Sequence, residues 1–199
     1  MDIHFLTAAL HQVENAKREN RERVANIVLD NQELFPHLIT ITFKTDDKLS
    51  IRAAWILEWI CTHNDLNLIT PHLEEFTENI ANLTYDSAIR PCAKICEQIA
   101  KAYTSKNEHQ IKEHLTEIQI DRIVTTGFDW LITPQKIAVR AYTMEALFLF
   151  GLQKTWIHPE LQHIISTKNI NESAGCRARG KKILSWIKKQ QKTLKTHSK

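Results

Sequence analysis

The sequence predicts an all-α protein in which paired helices stack as a right-handed α-α superhelix of four to five pairs. The 199 residues include only 4 Gly and 5 Pro, too few turn-forming residues for a sheet with many hairpins. Apolar residues recur at spacings of three and four along most of the chain, as in amphipathic helices. A short pattern built around an arginine also occurs four times, at Arg52, Arg90, Arg140 and Arg177.

Length and composition predict one helical repeat domain over residues 1–199, since a chain of this length buries about 70% of its surface without metal or disulfide. The start of the chain does not resemble a secretory signal, because Asp2 replaces the basic start and the apolar run breaks at His11. No window approaches the roughly 18 consecutive apolar residues of a membrane span. The four cysteines lie in apolar helical patterns, which is typical of reduced thiols, so we expect a cytoplasmic protein without membrane contact.

Capping residues and prolines indicate where the helices begin. Thr70 and Thr133 each precede a proline, which suits the first helical position because its missing N–H is not needed there. Asp46, Asp86 and Asn171 carry side-chain oxygens suited to capping three of the arginine-bearing helices. The predicted helices cover residues 2–18, 20–30, 32–44, 46–63, 70–83, 86–104, 107–116, 119–131, 134–151, 158–167 and 172–192.

The repeated arginines are 38, 50 and 37 residues apart, close to the ~40–47 residues of a two-helix solenoid unit. The longest interval contains two helical patterns, at 107–116 and 119–131, where the others contain one. Each arginine lies in the second helix of its predicted pair. Such pairs are expected to stack because neither helix can bury its apolar face alone.

The stretch "VRAYTMEALFLFG", residues 139–151, resembles the second helix of a HEAT repeat in its Val-Arg-Ala start, its Glu145-Ala146-Leu147 centre and its final Gly. "IRAAWILEW" and "CRARGKKIL" are weaker matches, and the resemblance covers about residues 34–189. In HEAT-like proteins such arginines form a structural ladder with polar residues in the turns. The resemblance therefore implies partners for the four arginines among Asp46, Asp47, Asp86, Asp129 and Asn171. The alternative is that the arginines bind an anionic ligand.

Two further stretches, "DSAIRPCAKICE" and "WIHPELQHII", resemble small bacterial HEAT-like proteins that carry the label adenylosuccinate lyase. Members of that lyase superfamily have a Ser-Ser-x-Met-Pro-x-Lys-x-Asn loop, which supplies the catalytic serine. The methionines here are Met1 and Met144, and neither precedes a proline. No Gly-rich phosphate loop, HExxH or GxSxG occurs either. We therefore predict no catalytic residues, although the lyase remains an alternative.

Metal binding is not predicted. Cys92 and Cys96 are four residues apart on one helical face, but two thiols lack the further Cys or His ligands of a closed zinc site. Packing in the core explains them better, and we expect no metal and no cofactor.

Tryptophans allow a second alternative. As core anchors they need no functional explanation. The HEAT-like alkylpurine DNA glycosylases resemble this chain in fold, and that resemblance would make Trp55, Trp59, Asp129 and Arg140 the candidate site. Residues 1–179 carry 19 basic and 23 acidic side chains, a net charge of −4 that disfavours DNA binding.

We expect a noncatalytic scaffold that binds another protein on the concave face lined by the second helices. The candidate residues for this face are Trp55, Glu58, Trp59, Lys94, Glu97 and Lys101. From Gly180 onward the chain has seven Lys and no acidic residue, and we expect this end to fray from about residue 190. This end is either a solubilising tail or an arm that binds nucleic acid or an acidic partner. Any nucleic-acid binding is expected to be weak and independent of sequence.

Overall fold

The protein folds into α-helices joined by short loops and turns. A computed structural model describes residues 1–168 and 173–197, and these ranges contain no β-strand, which confirms the all-α prediction. The α-helices are α1 (Ile3–His11), α2 (Arg18–Asp30), α3 (Phe35–Thr42), α4 (Leu49–His63), α5 (Leu73–Asn79), α6 (Asp86–Thr104), α7 (Gln110–His114), α8 (Glu117–Ile132), α9 (Ile137–Phe150), α10 (Ile157–Lys168) and α11 (Ala174–His197). Short 3₁₀ helices occupy residues 32–34, 66–72 and 80–82.

The helices pack in two rows. The first, which we call the main row, has α2, α4, α6, α9 and α11 side by side in that order. The second row has α1, α3, α5, α8 and α10, with the 3₁₀ helix at 66–72 between α3 and α5. α7 packs on α6 beside this 3₁₀ helix. Charged residues that are distant in sequence can therefore meet across neighbouring helices of the main row.

The apolar core lies between the two rows. Leu57 and Ile60 of α4 and Ile99 of α6 are fully buried in the main row, and Phe76 of α5 is fully buried in the second. Burying one such side chain contributes about 1.5–3 kcal/mol. The core therefore fixes the positions of the main-row helices relative to one another.

The predicted first helix, 2–18, is wrong in its second half, because α1 ends at His11. The backbone N–H of Lys17 donates to the side-chain oxygen of Asn15, which also accepts from the Asn20 amide. This local turn competes with the helix, as short polar side chains commonly do. The apolar spacing across the turn was misleading.

Several predicted caps are also wrong. Thr70 lies inside a 3₁₀ helix, and the Thr133 hydroxyl donates to the Asp129 carbonyl at the end of α8 instead of opening α9. At the start of α4 it is Asp47, not Asp46, that accepts the Leu49 N–H, since it lies two residues before it. Asp86 is the first residue of α6, which has no side-chain cap. The predicted cap Asn171 lies outside the described residues.

Candidate functional site

Three glutamates lie on three neighbouring helices of the main row: Glu58 on α4, Glu97 on α6 and Glu145 on α9. Glu58 and Glu97 are only 5% and 2% exposed, and Glu145 is half-buried. A buried carboxylate is costly unless it is paired, and each of these is paired with a cation. We call the glutamates and their partners the charged row: Arg21, Glu58, Lys94, Glu97, Lys101, Glu145 and Arg179.

One end of the charged row links α2 to α4. The Arg21 guanidinium donates to the Glu58 carboxylate, with a nitrogen-to-oxygen distance of 3.0 Å. The same guanidinium lies 4.7 Å from the centroid of the Trp59 ring, within the range of a cation–π contact. Trp59 also stacks on His63, with ring centroids 4.1 Å apart. Trp59 is therefore held in a fixed position beside the ion pair.

The other end links α6, α9 and α11 through shared carboxylates. Lys94 and Lys101 bind opposite oxygens of Glu97, and the Lys101 ammonium lies 3.2 Å from its oxygen. The same ammonium reaches Glu145 at 3.1 Å, and Arg179 of α11 binds the other Glu145 oxygen. Charges therefore alternate in sign along a path from Lys94 to Arg179, and each carboxylate on it is bound by two cations.

These contacts determine the pKa of two groups. Burial by itself would raise the pKa of Glu145, but the hydrogen bond from Lys101 and the charges of Lys101, Arg179 and Lys182 outweigh it, and the pKa is lowered. Burial would lower the pKa of Lys101, but Glu145 and Glu97 outweigh it, and that pKa is raised. Both groups are therefore held in their charged forms around neutral pH.

Four of the predicted binding residues, Glu58, Lys94, Glu97 and Lys101, belong to the charged row. Of the predicted tryptophans, Trp59 lies beside it, whereas the Trp55 indole N–H donates to the Ser87 carbonyl at 3.1 Å and connects α4 to the start of α6. The binding role of these residues stays a prediction. Three members of the row were not among the predicted binding residues: Arg21, Glu145 and Arg179.

The repeated arginines lie outside the charged row. Arg52 donates to the His11 carbonyl at 3.4 Å, and Arg140 donates to the Thr133 carbonyl at 3.0 Å. Arg90 is half-buried and Arg177 is exposed. Arg52 and Arg140 thus contact carbonyls at the C-terminal ends of helices, and the carboxylate ladder stays a prediction.

An open groove of about 460 Å³ lies between α9 and α11, next to the last ion pair of the charged row. We call it the α9–α11 groove. Every residue that lines it comes from the main row: Lys101, Glu145, Phe148, Leu149, Trp186, Lys189, Gln190 and Thr193. Phe148 and Trp186 pack against each other, with ring centroids 5.2 Å apart, and the Lys182 ammonium lies 4.7 Å from the Trp186 centroid. The groove therefore has an apolar floor and charged edges.

The sequence predicts that α11 docks through one apolar face and exposes its lysines, and this is confirmed. Ile183 and Ile187 are fully buried, and Leu184 and Trp186 are half-buried against the core. Five lysines are exposed: Lys181, Lys182, Lys188, Lys189 and Lys192. A shallow basic depression of about 590 Å³ on α11 shares Trp186 and Lys189 with the α9–α11 groove. The basic surface is thus continuous with the groove.

The residues of the predicted glycosylase site fall into two groups: Trp55 and Trp59 on α4, and Asp129 and Arg140 beside the C-terminal end of α8. Asp129 lines a separate groove between α5 and α8, whereas Trp59 contacts α2 and Arg140 contacts the end of α8. Within residues 1–168 and 173–197, no three His, Cys, Asp or Glu side chains are grouped to hold a metal ion. Over the same part of the chain, no helix is long and apolar enough to cross a membrane.

Comparisons with protein-family models, with curated proteins and with solved structures give no match for this chain. The resemblances to HEAT repeats and to the small bacterial proteins with the lyase label therefore remain expectations from the sequence.

Proposed function

We propose that this protein is a noncatalytic scaffold that binds another protein along its main row. One observation carries the proposal: on consecutive helices of the main row, buried or half-buried glutamates hold partly exposed cations in place, from Arg21 on α2 to Arg179 beside the α9–α11 groove. Replacing buried ion pairs of this kind by apolar packing of the same volume is often neutral or even stabilising, so the pairs do not serve stability alone. We infer that these ion pairs fix the positions of charges along the main row, and a fixed pattern of charge gives a binding surface its specificity.

The finer fold is part of the same proposal. We infer a HEAT-like, right-handed superhelix of four to five helix pairs, whose concave face is formed by the main row. The packing of chain neighbours supports it, since α3 packs on α4, α8 on α9 and α10 on α11. Solenoids of this kind present long binding surfaces without a deep pocket.

The two enzymatic alternatives have less support. A glycosylase site would need Trp59 on α4 to converge on one base with Asp129 and Arg140 beside the end of α8. A lyase would need the serine-bearing loop, which the sequence does not contain.

Affinity purification from native lysate, followed by quantitative mass spectrometry, tests the scaffold. Arg18→Glu alters the α2 end of the surface, where Arg18 lies 5.8 Å from the Trp59 centroid, and Lys189→Glu alters the groove end. Lys44→Glu, in the loop between α3 and α4, is the matched control. We expect at least one protein that wild type and Lys44→Glu retain and that one of the other variants loses. Identical retention by all four proteins would contradict the scaffold.

A further inference from the structure

The two walls of the α9–α11 groove have the spacing of helix faces. Glu145, Phe148 and Leu149 are at i, i+3 and i+4 on α9. The α11 wall is formed by residues at i, i+3, i+4 and i+7, from Trp186 to Thr193. The α11 wall therefore extends about 10 Å, or two helical turns. Two neighbouring ridges of this kind form a site for a third helix of two to three turns.

The floor of the groove is suited to apolar anchors. Phe148, Leu149 and Trp186 are all half-buried, so their remaining surface is available to a ligand. The Trp186 ring is fixed by Phe148 on one side and by the Lys182 ammonium, so little side-chain freedom is lost when it is covered. Large, immobile aromatic side chains of this kind dominate the affinity of protein interfaces.

The α11 edge of the groove is positive. Lys101 and Arg179 already neutralise Glu145, so the lysines of α11 are not balanced by it. Lys181, Lys188 and Lys192 lie within about 20° of one line along α11, and Lys189 lies about 60–100° round the helix from them, on the side of the groove. In the part of the chain that the structure describes, none of these four lysines forms an ion pair, although all are exposed. An occupant with carboxylates facing α11 complements this charge.

Nucleic acid fits this surface less well. A polyanion would meet the lysines of α11, but at the opposite edge the Lys101 ammonium is already bound by Glu97 and Glu145. The floor is also apolar rather than lined with donors for phosphate oxygens. An amphipathic protein segment satisfies both the floor and the lysine edge.

From this geometry we infer that the α9–α11 groove binds an acidic amphipathic helix of a partner protein, of two to three turns. The inference rests on the proposed scaffold function and names the chemistry of the partner. Apolar residues at i, i+3, i+4 and i+7 of that helix cover Trp186, Phe148 and Leu149. Its acidic flank pairs with Lys189 and with the adjoining lysines of α11.

Fluorescence anisotropy with a designed probe tests the inference on the full chain. The probe is a fluorescein-labelled peptide of 16 residues with Leu at i, i+3, i+4 and i+7 and Glu on the flanks. Two matched peptides carry Lys in place of Glu, or Ser in place of Leu. We expect micromolar binding of the acidic amphipathic peptide and at least tenfold weaker binding of both others. Equal binding of all three peptides, or of none, would overturn the inference.

Variants locate the peptide. Trp186→Ala removes the floor anchor, and Lys189→Glu reverses an exposed edge charge without altering the core. Trp156→Ala is the control, because Trp156 is 54% exposed and lies outside the groove. We expect both groove variants to weaken peptide binding at least tenfold and the control to change it less than twofold. Unchanged binding by Lys189→Glu, with native circular dichroism, would place the peptide elsewhere and overturn the inference.

A duplex DNA probe distinguishes the competing class of partner. Five exposed lysines of α11 that contact phosphates would give a log-log salt slope of about −4 to −5. We expect only weak duplex binding that is lost at moderate salt and is unaffected by Trp186→Ala. Duplex binding that is tighter than peptide binding and that competes with it would overturn the inference.

The affinity purification distinguishes failure of the groove assignment from failure of the scaffold function. If the retained protein is lost only with Arg18→Glu and not with Lys189→Glu, the scaffold function stands and the groove assignment fails.

Discussion

Arg21 of α2 and Glu58 of α4 form an ion pair with a nitrogen-to-oxygen distance of 3.0 Å, although 37 residues separate them in sequence. The Glu58 carboxylate is buried, and the Arg21 guanidinium covers the neighbouring Trp59 ring. Ion pair and ring contact together connect the first helix of the main row to the second. Substitution of either Arg21 or Glu58 removes the ion pair, so its contribution to the free energy of unfolding can be measured.

Arg21→Ala should destabilise the protein by about 2–4 kcal/mol, because it leaves the Glu58 carboxylate buried without its cation. Urea denaturation at neutral pH measures the change in the free energy of unfolding. Arg18→Ala is the matched control: Arg18 pairs with Glu22 on the same helix and its side chain is 74% exposed, compared with 17% for Arg21. The control should change stability by less than about 0.5 kcal/mol. Equal effects of the two substitutions would contradict the structural role of Arg21.

Glu145→Gln should make stability less dependent on acid pH. The pKa of Glu145 is lowered in the folded state, so its ionised form stabilises the fold above the unfolded pKa of about 4.3. This contribution is lost as the pH falls through the lower, folded pKa. Urea denaturation should show the variant to be less stable than wild type by about 1–3 kcal/mol at pH 7, and the difference should narrow below about pH 4.

The dependence of stability on alkaline pH tests the partner of Glu145, Lys101. The pKa of Lys101 is raised in the folded state, so its contribution is complete below the unfolded pKa of about 10.4 and is lost only as the pH rises through the folded pKa. The stability difference between wild type and Glu145→Gln should therefore be constant from about pH 6 to pH 9. A difference that changes within this interval would contradict the assignment.

The all-α class could be predicted because helical periodicity is local, and the two faces of α11 follow from the same spacing. Part of the charged row was also local: Lys94, Glu97 and Lys101 are three and four residues apart, a spacing that brings side chains together on one helix. The pairings of Arg21 and Arg179 with glutamates on other helices depend on which helices are neighbours. Helix spacing alone does not determine that order.

The repeated arginines illustrate the same limit. Their recurrence indicated a common structural setting, and Arg52 and Arg140 do reach carbonyl groups at the ends of α1 and α8. The last carbonyls of a helix have no intrahelical donors, and a guanidinium can donate hydrogen bonds to them as it can to a carboxylate. Helix spacing alone therefore does not determine whether such an arginine meets a carbonyl or a carboxylate, and the carboxylate ladder stays a prediction.

Arg140→Ala should lower stability by about 1–3 kcal/mol, because the Thr133 carbonyl loses a charged hydrogen-bond donor. Thermal denaturation provides the comparison. Lys136→Ala, one turn earlier and 71% exposed, is the control and should change stability by less than about 0.5 kcal/mol. A melting temperature of Arg140→Ala within a degree of wild type would contradict a structural role for the repeated arginines.

Purified protein should leave the ultraviolet absorbance of adenylosuccinate unchanged over hours, because the chain lacks the loop that supplies the catalytic serine of that lyase superfamily. An active adenylosuccinate lyase added to the same sample provides the positive control. Turnover that follows the protein through two successive chromatographic separations would show that this chain has lyase activity and that the scaffold interpretation is incomplete.

The thiols should report opening of the core. Cys61, Cys92 and Cys96 are buried in α4 and α6, and burial raises the pKa of all three, that of Cys96 to about 12. The thiolate is the reactive form, so a native protein at pH 8 should react with Ellman's reagent only through local or global opening. All four thiols should react at once in guanidinium chloride, whereas a Lys44→Cys variant should show one fast thiol in the native state. Fast native reaction of two or more thiols, which must include one of the three in α4 and α6, would mean that the contact between these helices opens readily and would contradict a rigid main row.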